Sequence, residues 1–113
     1  MKRLIVTTLI AALGLVAACG STFVVSKDGK GYYLGSGSTS AYTLLCETGD
    51  LKKVLTDTRL AQNMKDDLYG ANCSAERSKE KVKRIYASLS AEQRKDLRLA
   101  FKKNGYEVNA MLC

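Results

Sequence analysis

SAERSKEKVKRIYASLSAEQRKDLRLAFKKNGY, residues 74–106, is the stretch that decides the fold. Ser74 can cap a helix, Glu76 suits its positive N-terminal end, and Val82, Ile85, Tyr86 and Leu89 form one apolar stripe. Ser90-Ala91-Glu92-Gln93 then reads as a capping box, in which Ser90 and Gln93 satisfy each other's backbone N–H groups. The next helix buries Leu97, Ala100 and Phe101 and stops at Asn104-Gly105. There Gly105 can take the left-handed cap conformation while Tyr106 packs back towards Phe101. Two capped amphipathic helices in succession place the chain in the mainly α class.

Upstream, the punctuation stays helical. Ser38 or Thr39 can cap a short helix carrying Ala41, Leu44 and Leu45, which Gly49 should end. Asp50 is expected to cap a second helix, with Leu51, Val54 and Leu55 on one face. Leu60, Met64 and Leu68 recur every fourth residue in a third, with Gly70 as its stop. Before these, Phe23-Val24-Val25-Ser26, the turn residues Lys27-Asp28-Gly29-Lys30, and Gly31-Tyr32-Tyr33-Leu34 predict a small hairpin. A lone hairpin is marginal in water, so it must pack on the helices or gain a third strand, for which Tyr106-Glu107-Val108 is a candidate. Gly35-Ser36-Gly37-Ser38 reads as a flexible connection. The expected fold is a small bundle of about five short helices with a short N-terminal β-hairpin, stapled by a disulfide.

The start of the chain carries an address. Met1-Lys2-Arg3 is basic, and the mostly apolar run of residues 4–16 is shorter than the ~20 residues that span a bilayer core, which makes it a signal-peptide h-region. Val16-Ala17-Ala18-Cys19 follows and resembles the lipobox of bacterial lipoproteins. The resemblance covers only these first residues. It implies that the leader is cut before Cys19, and that Cys19 carries a thioether-linked diacylglycerol and an acylated amine. It further implies that Gly20, in a diderm host, sends the protein to the periplasmic side of the outer membrane. The expected organisation is therefore a lipoprotein signal peptide over 1–18, a lipid-anchored segment with hairpin and Gly/Ser linker over 19–40, and a helical domain over 41–113.

An exported chain meets an oxidising compartment, where cysteines pair. With Cys19 acylated, Cys46, Cys73 and Cys113 remain. Cys46 and Cys73 lie near predicted helix ends, where loops let Cβ atoms approach, so this pairing is favoured over the two that use Cys113. Cys113 is then free or forms an intermolecular bond. The spacings are too wide for a cysteine metal site and the chain has no histidine, so neither a metal nor a cofactor is expected.

Absent histidine also narrows catalysis. A nucleophile would need a lysine or carboxylate as its base, no strand-turn-helix nucleophile motif is present, and Ser74 and Ser90 are accounted for as caps. Gly29, Gly31, Gly35 and Gly37 do not make a phosphate loop, because Lys30 comes early and Tyr32 and Tyr33 interrupt. No enzyme is expected.

Charge is more informative. The whole chain has a net charge of +7; without residues 1–18 it loses Lys2 and Arg3 and keeps 16 basic against 11 acidic residues, a net +5. Such a domain favours anionic neighbours. Arg77, Lys81 and Arg84 fall on one helical strip; Lys95, Arg98 and Lys102 form a second, beside Leu99, which points away from the Leu97–Phe101 face. These seven residues are the candidate binding face, set against the plainer reading of a solvated charged surface. Adjacent Tyr32 and Tyr33 should face opposite sides of a strand, leaving one exposed. The expected function is a non-catalytic, lipid-anchored interaction or accessory subunit of an envelope assembly, held to the membrane by its anchor. The alternatives are a binder of anionic cell-wall or headgroup components, and a thiol-redox protein. Nucleic acid is not an expected partner.

Overall fold

The computed structural model describes residues 24–110, so the leader, Cys19 and Cys113 lie outside the described residues. Strands β1 (Val24–Lys27) and β2 (Lys30–Tyr33) form the expected hairpin. Its turn is Asp28-Gly29, both with positive φ, at 53° and 81°, the pairing that lets a two-residue loop match strand twist. Strand β3 (Glu107–Ala110) joins the other side of β1, giving the antiparallel order β2-β1-β3. Val25 pairs with Tyr32 on one side and Val108 on the other, and it is fully buried. Tyr32 packs against the core while Tyr33, one residue on, is half-exposed.

The helices follow as α1 (Thr39–Tyr42), which runs into a wider π-type turn over Thr43–Glu47, α2 (Asp50–Thr56), α3 (Gln62–Cys73), α4 (Lys79–Ser88) and α5 (Ala91–Lys103). The domain is mainly helical with a β-hairpin at its N-terminal side, as the patterning predicted. One core joins Val25 and Leu34 of the hairpin region to Leu51, Val54, Leu68, Val82, Tyr86, Leu97, Phe101 and Tyr106. Cys46 and Cys73 form a disulfide with a Cα–Cα distance of 5.6 Å, so the favoured pairing is the one present.

Four local expectations are corrected. Gly70 does not end the third helix, which continues to Cys73; Asn72 is buried there and donates from Nδ2 to the Leu68 carbonyl at 2.8 Å. Ser74 therefore sits at the C-terminal end of α3, and Ser78 caps α4, its hydroxyl accepting from the Lys81 N–H. Asp50 is not a cap, since Gly49 holds that position with φ of 85° and the Asp50 carboxylate turns elsewhere. Finally, the Gly35–Ser38 stretch is fastened at both ends rather than loose. Gly35 N–H donates to Asn72 Oδ1 at 2.7 Å, and the Ser38 hydroxyl caps α1. At Gly35, φ is +80° and a Cβ would lie 2.5 Å from the Ser78 carbonyl oxygen, so no other residue fits there.

Candidate functional site

Helix α5 is built to present one face outward and hold the other rigidly. Its capping box is complete: Ser90 Oγ accepts from Gln93 N–H at 3.1 Å and Gln93 Oε1 accepts from Ser90 N–H at 2.8 Å. At its far end Gly105 N–H donates to the Lys102 carbonyl and Tyr106 N–H to the Phe101 carbonyl, each at 3.0 Å, the bond pair of a Schellman cap. Phe101 and Tyr106 meet edge to face with ring centroids 5.8 Å apart. This cap reverses the chain, so β3 runs back alongside the helix.

Between α5 and β3 lies an open groove of about 450 Å³. Lys95, Arg98, Leu99 and Lys102 line it from the helix, and Tyr106, Glu107 and Val108 from the strand side. Leu99 is 54% exposed, while Leu97, Ala100 and Phe101 on the opposite face are buried. Lys95 and Lys102 are exposed and form no ion pair with any described carboxylate. The groove thus offers an apolar side chain between two open ammonium groups.

Arg98 differs from its neighbours. It is partly buried and hydrogen-bonds the Tyr86 hydroxyl, whose own titration burial pushes up. Arg94 takes the other side of Tyr86: its guanidinium lies 5.3 Å from the ring centroid and donates to the Tyr86 and Ala87 carbonyls at 3.2 and 3.0 Å. These bonds add to the last turn of α4, where the Tyr86 carbonyl also accepts from the Leu89 N–H at 3.1 Å. Arg98 is therefore a brace first and a groove wall second.

The other predicted strip, Arg77, Lys81 and Arg84, does not join this groove. Arg77 precedes α4, donating to the Ser74 carbonyl at 3.2 Å, with its guanidinium 5.6 Å from the Tyr42 ring centroid. Lys81 pairs with Glu76 at 3.7 Å. Lys81 and Arg84 line a different, mixed-charge groove between α3 and α4, together with Asp66, Asp67 and Glu76. Acidic residues on that wall offset its cations, which leaves the α5–β3 groove as the better site for an anionic or amphipathic partner.

Tyr106, Glu107 and Val108 line the groove without being among the residues expected to form a binding face. Their sequence signal was the Asn104-Gly105 stop followed by a β-type run, which sets the return of the chain but not the space it encloses.

Asp50, expected as a helix cap, instead anchors a partly buried cluster. It accepts a 2.6 Å hydrogen bond from the Tyr106 hydroxyl and lies 3.3 Å from the Lys27 ammonium, which in turn sits 4.9 Å from the Tyr106 ring centroid. Burial pushes the Asp50 carboxyl up, but the Tyr106 hydroxyl and the Lys27 ammonium outweigh it and hold the group below its ordinary range. The cluster ties β1, α2 and the α5–β3 corner together, and its Tyr106 also lines the groove.

Among the described residues no group of three or more His, Cys, Asp or Glu is placed to hold a metal ion, and no helix is long and apolar enough to cross a membrane. Comparison of the chain with known protein families, with curated proteins and with solved structures finds no match.

Proposed function

We propose that this chain is a small lipid-anchored protein of the bacterial envelope that works without catalysis, as an interaction or accessory subunit, and that it seats its partner in the α5–β3 groove. The observation that carries the reading is the exposed Leu99 flanked by Lys95 and Lys102 on a helix whose caps and inner face are fully satisfied. An exposed apolar side chain set between cations that pair with no described carboxylate, on the wall of a groove, offers an amphipathic, anionic partner both kinds of contact at once. The anchoring part rests on the Val16–Cys19 lipobox resemblance and on a chain whose net positive charge suits an anionic surface.

Co-purification from detergent-solubilised envelopes tests it. The intact protein should bring down a discrete partner in constant ratio. A variant carrying Leu99→Asp, Lys95→Glu and Lys102→Glu should lose that partner while keeping its helical content and melting temperature. Retention of the same partner by the folded triple variant contradicts the groove as the binding site. Retention of anionic cell-wall polymer alone, lost in high salt, would replace the protein partner with the polymer.

A further inference from the structure

Two large apolar side chains stand half-exposed among the described residues, Leu99 and Tyr33. Leu99 belongs to the groove beside β3. Tyr33, 50% exposed, ends β2, and β2 and β3 are opposite edges of the sheet. Tyr33 therefore lies apart from that groove.

Its surroundings form a patch. The Lys79 ammonium lies 5.5 Å from the Tyr33 ring centroid, and across the Ser78 cap Arg77 covers Tyr42 at 5.6 Å. The Gly35–Gly37 backbone passes against both: a Cβ on Gly35 would touch the Ser78 carbonyl, and one on Gly37 would lie 2.4 Å from Arg77 Nε. Two cations and two aromatic rings are therefore brought to one surface. The nearby carboxylates of Glu76 and Glu80 are engaged by Lys81 and Lys83, which leaves Arg77 and Lys79 with no ion pair to a described carboxylate.

Tyr33 also pairs directly with Val24, the first residue of β1. Four residues separate Val24 from Cys19, five chain steps that reach about 17 Å even when fully extended. A diacylglyceryl group on Cys19 keeps the Val24 end of the sheet, and Tyr33 beside it, close to the bilayer surface. We infer that the Tyr33–Lys79–Arg77–Tyr42 patch rests on the anionic headgroups of the membrane to which the chain is tethered, an inference that depends on the acylation of Cys19 proposed above. A tyrosine with an apolar ring and a polar tip suits headgroup depth, and Lys and Arg are drawn to an anionic surface within a Debye length. The patch and the groove flank opposite sheet edges, so docking on lipid through one leaves the other open to a partner.

The chain has no tryptophan, so a single substitution supplies a unique fluorescent reporter. The acylated full-length protein is reconstituted into phosphatidylglycerol-containing vesicles doped with lipids brominated near the glycerol, with Tyr33→Trp and Leu99→Trp as separate reporters. Tyr33→Trp should be strongly quenched, since an aromatic ring at headgroup level lies beside the brominated positions, while Leu99→Trp changes little. Adding Arg77→Glu and Lys79→Glu to Tyr33→Trp, or replacing phosphatidylglycerol with phosphatidylcholine, should largely restore emission; the lipid exchange keeps the test valid if the charge reversal unfolds the domain. Equal quenching at both positions, or quenching indifferent to lipid charge, overturns the docking. Intact mass separates the two claims. Absence of acyl mass on Cys19 overturns the anchoring and the orientation together, whereas an acylated chain with unquenched Tyr33→Trp overturns the orientation alone.

Discussion

The Tyr106 hydroxyl donates a 2.6 Å hydrogen bond to the Asp50 carboxylate, joining residues 56 apart in sequence. Asp50 opens α2, Tyr106 closes the cap of α5, and Lys27 at the end of β1 completes the cluster. The Asp50 side chain is only 16% exposed, so each partner it loses leaves a desolvated charge less compensated. Tyr106→Phe should lower unfolding stability by about 1.5–3 kcal/mol, the range for hydrogen bonds to charged groups, measured by urea denaturation at neutral pH. A loss within error of zero contradicts the cluster as a structural tie.

The same cluster sets an acid limit. Asp50 and Asp57 both titrate below their ordinary value: Asp50 through Tyr106 and Lys27, which outweigh its burial, and Asp57 chiefly through the hydrogen bond from Asn104. A carboxyl that binds its proton more weakly folded than unfolded stabilises the fold above the unfolded pKa of ~3.9, and that contribution drains away as pH falls through the lower folded value. Stability should hold from about pH 7 to 5 and decline below pH ~4. Asp50→Asn should be less stable at neutral pH and show a shallower decline in acid. Parallel curves for the two proteins contradict the assignment.

The Cys46–Cys73 bridge closes a loop of 27 residues' separation. In the chain-entropy view such a closure stabilises by ~3–4 kcal/mol. The paired substitution Cys46→Ala with Cys73→Ala should lower stability by about that amount, and non-reducing peptide mapping of the native protein should recover the 46–73 linkage. A recovered peptide joining Cys113 to either partner contradicts it.

Lysines and arginine of the groove should behave differently. Lys95→Gln and Lys102→Gln should change stability by less than ~0.5 kcal/mol, since both are exposed and unpaired. Arg98→Gln removes the partner of the buried Tyr86 hydroxyl and should cost about 1–3 kcal/mol. Thermal melts of the three single variants distinguish a brace from an open face.

Much of this fold can be read before any coordinates, because its strongest signals are local. The Asp28-Gly29 turn, the Ser90–Gln93 capping box and the Gly105 stop each satisfy backbone groups within a few residues, so their chemistry is complete in the sequence. The misread positions depend on distant partners. Gly70 costs a helix ~1 kcal/mol relative to Ala, but burial of Ala71 and Asn72 and the bond to Cys46 carry α3 past it. Ser74 and Ser78 are equally good caps in isolation. Ser78 takes the role because α3 extends to Cys73 and the Ser78 N–H is used by the Ala71 carbonyl at 2.9 Å. The six basic candidates fall on two helical strips in sequence, yet Arg77 lies outside α4, and Lys81 and Arg84 line a different groove from Lys95, Arg98 and Lys102. Helical periodicity places residues on a face of their own helix; it does not show which neighbour closes the groove.

The central claim is that Leu99 meets a partner while the chain is held at the membrane through Cys19. Its most direct test is a photo-crosslinking residue at position 99, activated in intact envelopes of cells carrying either the native Cys19 or Cys19→Ala. A single discrete protein adduct that forms with Cys19 and disappears with Cys19→Ala is the predicted result. No adduct with Cys19 intact, or an adduct equally abundant in the Cys19→Ala cells, contradicts it.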